Sequence, residues 1–243
     1  MLAGMAHIPR VYTPEHLSPG PLTLSGDTAR RLTGVMRISP GEPLLLFGGD
    51  GREWRATVQS AARGAVLVAI EEQARQEPPP HAVVETWIGV VRANRLEIAL
   101  EKCVEAGADI IRPVVCAFSQ RGDEVSAAKV ERWQRIVIEA AEQSGRLYLP
   151  VLQPPTPLTK AIAGFRGAMV VAEAGGLPAD RARPRLPETG HIALVVGPEG
   201  GLSAAETAAL KQAGAIGLSL GPYILRTETA AIVGTAVLRS LTA

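Results

Sequence analysis

Three consecutive prolines, Pro78-Pro79-Pro80, close a polar stretch that begins at Glu71, and they divide the chain into parts of different texture. A proline run has fixed φ and no backbone donors, so it forms an extended, semi-rigid connector and cannot continue a helix or a central strand. Before it, the apolar runs Pro43–Phe47, Trp54–Val58 and Ala65–Ile70 are short and punctuated, and Gly48-Gly49-Asp50-Gly51 between two of them is a hairpin signal. That pattern predicts a small β-rich barrel, interrupted by one helical patch over Thr28–Met36. The expected organisation is a domain over residues 1–73, a linker over 74–80 and a second domain over 81–243.

Beyond the prolines, strand and helix patterns alternate. Val83–Val91, Ile110–Phe118, Met169–Ala172, Ile192–Val196 and Ile216–Leu220 are short apolar runs of the kind found in strands of a buried parallel sheet. Asn94–Ala106 carries a Leu96/Ala99/Leu100/Cys103 stripe and stops at Gly107, and Ser126–Ser144 sets Val130, Trp133, Val137 and Ala140 on one face before Gly145. Ser203, three residues before Glu206, opens a helix running to Ala213 with a capping box. Glu228–Leu241 is apolar nearly all round, which predicts burial on several sides, by the chain's own core or by a second subunit. The fold class is α/β with a parallel sheet, preceded by the small β domain.

Composition removes several function classes. With 47% apolar and 20% charged residues the chain is a globular protein with a real core, packed mainly by aliphatic side chains because aromatics are only 4%. The net charge of +1 does not advertise a nucleic-acid binder. Arginine nonetheless outnumbers lysine by 21 to 4, and Arg10, Arg30, Arg31 and Arg37 face only Glu15 and Asp27 in the first 40 residues. That cluster reads either as a solvated face or as an RNA-contact patch. Cys103 and Cys116 form no disulfide framework or zinc site, so no metal is expected. Met1–Arg10 has no apolar h-region and no run approaches the ~20 residues of a membrane span, so the expected location is the cytoplasm.

The chemistry concentrates in two Gly-Pro loops, each between a strand-like run and a helix: Val196-Gly197-Pro198-Glu199-Gly200-Gly201 and Leu220-Gly221-Pro222-Tyr223-Ile224-Leu225-Arg226. Ligands of open α/β sheets sit at the carboxyl ends of strands, so these loops suit opposite lips of one pocket. Neither matches a Walker loop or G-x-G-x-x-G, which argues against a polyphosphate or a nicotinamide dinucleotide. Backbone groups and the apolar Leu220, Ile224 and Leu225 favour a flat heterocycle such as adenine, held by main-chain hydrogen bonds.

The strings Gly197-Pro198-Glu199-Gly200-Gly201-Leu202-Ser203 and Leu218–Ala230 resemble the signature loops of the SPOUT superfamily of knotted methyltransferases. More narrowly, the chain resembles the ribosomal RNA small subunit methyltransferase E family. His7–Arg10, Leu32–Arg37 with Pro40-Gly41-Glu42, Arg95-Leu96-Glu97 through Gly107, and Glu139–Arg146 match its other motifs, so the resemblance spans nearly the whole chain. It implies a PUA-like RNA-binding β-barrel followed by an α/β domain tied in a trefoil knot, a rare exception to the unknotted rule. It also implies a homodimer that methylates N3 of a uridine, uracil 1498, in 16S rRNA of the small ribosomal subunit.

The implied cofactor is S-adenosylmethionine, held by Ala172, Glu173, Val196, Gly197, Pro198, Glu199, Gly200, Leu220, Gly221, Ile224, Leu225 and Arg226. Methyl transfer from a sulfonium needs an in-line nucleophile, whereas uridine N3 carries a proton. Arg226 is expected to stabilise negative charge on the uracil oxygens, with Glu139 and Glu228 as candidate bases. Glu228 also suits its helix N-terminus, and Glu139 a structural pairing with an arginine. Arg10, Arg31, Arg37, Gln143 and Arg146 are the RNA candidates, the last two alternatively closing their helix. The family usually has His at position 31 and Arg at position 223, where this chain has Arg31 and Tyr223. Competing readings are a SPOUT enzyme acting on another nucleotide or a ribose 2′-hydroxyl, and a non-catalytic rRNA-binding assembly factor.

Overall fold

A computed structural model describes residues 8–119 and 126–242; His7 of the first resemblance motif lies outside them. The chain divides into two compact units, one of Met1–Pro79 with Ala141–Leu149, the other of Pro80–Ala140 with Pro150–Ala243.

The first unit contains β1 (Arg10–Tyr12), β2 (Gly20–Ser25), α1 (Gly26–Gly34), β3 (Pro43–Phe47), β4 (Arg52–Ala62) and β5 (Ala65–Gln76). Its sheet has the order β1-β3-β4-β5-β2, with β1 and β3 parallel and the other pairs antiparallel. The glycine-rich turn Gly48–Gly51 joins β3 to β4 as a hairpin, as its residues require. Three register shifts along the β4–β5 pair bend these long strands around a core of Val11, Leu44, Leu46, Ala56, Val58, Val66 and Val68. Leu32 of α1 plugs the same core. The helix ends at Gly34 rather than Met36, because the amides of Val35 and Met36 both donate to the Arg31 carbonyl and Arg37 turns left-handed at φ 53°. The stretch expected as linker begins later too: β5 stays paired with β4 through Gln76.

Ala141–Leu149 completes this unit. Glu142 is 7% exposed and accepts both terminal nitrogens of Arg31, at 2.5 and 2.6 Å, together with the Tyr12 amide at 2.9 Å. Arg10 donates to the Ala141, Glu142 and Arg146 carbonyls, pairs with Glu53 at 2.6 Å and lies over the Phe47 ring. A cation on the last carbonyls of a helix offsets their partial negative charge.

The second unit contains β6 (Ala82–Gly89), α2 (Ala93–Glu105), β7 (Ile110–Val115), α3 (Ala127–Ser144) as far as Ala140, β8 (Val151–Leu152), β9 (Thr156–Pro157) and α4 (Leu158–Gly164). It continues with β10 (Ala168–Leu177), α5 (Ala179–Ala182), β11 (Gly190–Val196), α6 (Ala204–Gln212), β12 (Ile216–Leu218) and α7 (Thr227–Thr242). Its strands pair in parallel in the order β12-β10-β11-β6-β7-β8, with β9 also on β7. Parallel strands need helices on both faces, and the alternating pattern supplies them. On one face α7 packs against α2, β6 and β11, burying Ala231, Gly234, Thr235 and Leu238. On the other, Trp87, Val114, Ala193 and Val195 pack with Leu158 and Ile162 of α4 and Leu210 of α6. The apolar last helix is thus covered largely by its own chain, although Ile232, Val233 and Val237 stay half-buried.

Candidate active site

The carboxyl ends of β10, β11 and β12 converge on one cleft. β10 continues past Ala172, where the sequence pattern stops, because the strand bulges: Ala172 and Leu177 both register with Leu218, and the four residues between them loop out. Gly176 makes this possible, since a Cβ there would meet the Gly217 and Leu218 backbone at 2.7 Å. β12 stops at Leu218, two residues short of the expected Leu220, after which the second Gly-Pro loop departs.

Behind the first loop, α6 has the capping box its sequence foretells: Ser203 Oγ accepts from the Glu206 amide and the Glu206 carboxylate accepts from the Ser203 amide. Glu206 also accepts from the Ala117 amide at 2.8 Å, which pins the β7 exit to this helix. Thr227, buried at the start of α7, donates its hydroxyl to the Gly197 carbonyl at 3.0 Å and ties the second loop to the first.

Between the loops lies a cavity of about 590 Å³, a small-molecule size. Ala172 and Glu173 form its floor, Val196, Gly197, Pro198 and Glu199 one lip, and Ile224, Leu225 and Arg226 the other. Leu202, Leu210 and Lys211 close it from the α6 side. Leu220 and Gly221 line a contiguous lobe of about 170 Å³ that shares Ala172, Glu173, Ile224 and Leu225. Gly200 is different, because it lines neither space; its missing Cβ would stand 2.9 Å from Phe118 Cβ. Lys211 had no sequence signal beyond its helix. Among the described residues no cluster of His, Cys, Asp or Glu could hold a metal.

The charged residues do not all converge. Arg226 is exposed at the cavity edge. Glu228 does not line the cavity; it turns toward Arg95, whose Nε is 3.9 Å from Glu228 Oε1, while Glu228 Oε2 is buried with no hydrogen-bond partner among the described residues. Arg95 also pairs with Glu199 at 2.7 Å. Arg95 is the functional-site residue sequence reasoning missed, since only the fold brings the first turn of α2 to both acids. Glu139 is exposed on α3 and lies outside the cavity. Of the RNA candidates, Arg37, Gln143 and Arg146 belong to the first unit, with Arg37 and Gln143 exposed and Arg146 half-buried. Arg10 and Arg31 are engaged in the internal contacts described above.

This fold and cleft define an RNA methyltransferase of the two-domain kind: residues 77–239 match an RNA methyltransferase domain and residues 24–71 an RNA methyltransferase PUA domain. A ribosomal RNA small subunit methyltransferase E from Mycobacterium bovis is 33% identical over 229 residues, covering 90% of this chain and 86% of the relative. The Bacillus subtilis protein of the same name is 29% identical, with 86% and 85% covered. A Neisseria gonorrhoeae methyltransferase E bound to S-adenosyl methionine superposes with TM-score 0.84 at 31% identity, covering 97% of this chain and 98% of that one. A Legionella pneumophila methyltransferase in complex with bound SAM does so with TM-score 0.88 at 29% identity over 97% and 98%. The chain belongs to the ribosomal RNA small subunit methyltransferase E family.

Proposed function

We propose that the protein transfers the methyl group of S-adenosylmethionine to N3 of a uridine, uracil 1498, in 16S rRNA of the small ribosomal subunit. The observation that carries this reading is the cleft itself. Both Gly-Pro loops and the ends of three parallel strands enclose about 590 Å³, in a chain whose relative of known structure is bound to S-adenosyl methionine. The walls are largely backbone and small apolar side chains, which suit adenine, and the charged side chains on them are Glu173, Glu199, Lys211 and Arg226.

In this reading the two loops would hold the cofactor, which would supply the methyl group, and Arg226 stands at the edge of the same cavity. Arg226 acts on the uracil oxygens. Its permanent charge favours the anion left when N3 loses its proton, and its exposed position lets that proton pass to water. Neither Glu139 nor Glu228 lines the cavity, so we assign neither as the base. Glu228 instead helps Arg95 hold the loops together. The first unit grips rRNA, with Arg37, Gln143 and Arg146 as its contacts. The enzyme works as a homodimer in the cytoplasm, a reading supported by the exposed Tyr223 and Ile224 and the half-buried apolar side of α7. The knotted path implied by the resemblance belongs to the same proposal, and it is supported by the close approach of Gly89 to Pro198.

Arg226→Ala tests the assignment. It should lose most turnover while still binding S-adenosylmethionine, measured by methylation of small ribosomal subunits and by calorimetry. Full activity would refute the role of Arg226. Nucleoside mass spectrometry that finds the methyl on another base or a ribose 2′-hydroxyl would move the target, and failure to bind the cofactor would favour an assembly factor.

A further inference from the structure

A second cavity, of about 480 Å³, opens on the α4 side of the parallel sheet and shares no lining residue with the cofactor cleft. Side chains alternate along a strand, so Glu85 and Trp87 of β6 point here while Thr86 between them bonds Thr235 of α7 on the opposite face. Arg112, Lys160, Arg166 and His191 surround the space, with Glu85 as its single carboxylate.

That carboxylate is already satisfied from within. Glu85 is 4% exposed; it accepts from Trp87 Nε1 at 3.0 Å, contacts His191 Nδ1 at 2.8 Å and lies 3.8 Å from an Arg112 terminal nitrogen. The cations keep donors to spare. The Arg112 guanidinium sits over the Trp87 ring, 5.5 Å from its centroid, and its Nε is buried with no hydrogen-bond partner among the described residues. A buried donor without an acceptor is costly unless a ligand supplies one. Lys160 is exposed and has no protein acceptor among the described residues. Arg166 spends one terminal nitrogen on the Ala163 and Phe165 carbonyls, at 2.9 and 2.8 Å, which leaves its other donors for a ligand. Three permanent cations against one internally paired acid leave the cavity positive. Planar guanidinium and point-like ammonium together are the donor set that recognises phosphate oxygens. Phe165, half-buried beside Trp87, leaves an apolar surface next to the cations.

We propose that this cavity binds a phosphate ester, held by Arg112, Lys160 and Arg166, at a site separate from the cofactor cleft. The ester comes from a free mononucleotide or from an RNA backbone. Either source presents a phosphate to the same donors, and the apolar surface beside Phe165 distinguishes them.

The test is calorimetric titration of the full chain, saturated with S-adenosylmethionine, using inorganic phosphate and uridine 5′-monophosphate as probes. Saturable binding of at least one probe is expected. Arg112→Gln should weaken it by about tenfold and Lys160→Gln by about fivefold, each losing a charge-assisted contact. A nucleotide held about tenfold more tightly than phosphate would identify a mononucleotide site, and equal affinities would identify a contact to the phosphate group alone, as an RNA backbone makes. Lys160 is exposed, so its variant folds whatever the fate of the Arg112 variant. The proposal is overturned if neither probe saturates below about 20 mM, or if Lys160→Gln binds as the parent does.

Discussion

Gly89, the last residue of β6, is buried against the first Gly-Pro loop, and replacing it tests how tightly the cleft is built. An ideal Cβ at this position stands 2.5 Å from Pro198 N, 2.7 Å from Pro198 Cδ and 2.9 Å from the Gly197 carbonyl carbon. None of these atoms is the end of a flexible side chain, so nothing rotates out of the way. In Gly89→Ala the loop must retreat by roughly 1 Å, and overpacking of this kind costs about 1–3 kcal/mol. Gly89 lies outside the left-handed region, so alanine brings no backbone strain and the whole effect is steric. The displaced residues form one lip of the cavity, and each 1.4 kcal/mol transferred to the bound state is tenfold in affinity, so S-adenosylmethionine should bind roughly tenfold more weakly. The melting temperature should fall by about 2–4 °C for each kcal/mol. Calorimetry with the cofactor and a thermal melt measure both. Gly164→Ala is the control, because a Cβ at the end of α4 meets nothing within 4 Å. Unchanged affinity and melting in Gly89→Ala would refute the claim that this crossing shapes the cleft.

Other substitutions probe the remaining assignments. Glu142→Ala strips Arg31 of its two-pronged partner and Tyr12 of its amide acceptor; with Arg31 partly exposed the loss should be about 3 kcal/mol in urea unfolding, and S-adenosylmethionine affinity should not change. Burial pushes the thiols of Cys103 and Cys116 up to about 12 from 9.0, so both stay neutral in the folded protein. The stability they contribute is complete below pH 9 and is lost as the pH rises toward 12, by up to roughly 1.4 kcal/mol per unit for each thiol; Cys103→Ala should flatten that decline in urea titrations at pH 8 to 10. Tyr223→Arg places a cation on an exposed part of the second loop, and if that loop meets rRNA the log–log salt slope of binding should steepen by about 0.7 in filter binding.

The sequence announced what is local and periodic. The capping box of Ser203 and Glu206, the Gly48–Gly51 hairpin and the alternation of apolar runs with amphipathic helices each depend on neighbours within a few positions. What it hid depends on residues far apart. The EAAEQSGR segment looks like the tail of one long amphipathic helix, yet from Ala141 onward it packs with the first unit, because Arg10, Tyr12 and Arg31 find their partners there, 111 to 136 residues away. No periodicity signals that. The same distance hid the internal partners of Arg10 and Arg31: their charge was visible, and the carboxylates and helix carbonyls that they meet were not. The β10 bulge was equally hidden, since a run that stops being apolar at Ala172 looks finished, while the backbone continues as strand to Leu177.

The closeness of backbones in the cleft also explains how its charge is arranged. Gly89, Gly176 and Gly217 stand where three strands and two loops press together, and any side chain there would collide with backbone or with Glu173. A cleft built this way has few polar side chains, so each one counts. Glu228 is two residues from Arg226, and Glu199 is on the facing lip; either carboxylate would cancel the arginine if it turned inward. Arg95 prevents this by pairing with Glu199 at 2.7 Å and lying 3.9 Å from Glu228. Arg226 is left with no carboxylate partner among the described residues, at the edge of a cavity whose other cation, Lys211, is across the space on α6. Both acids are thereby tied to Arg95, and the positive charge of Arg226 at the cavity edge is left without a neighbouring carboxylate to neutralise it.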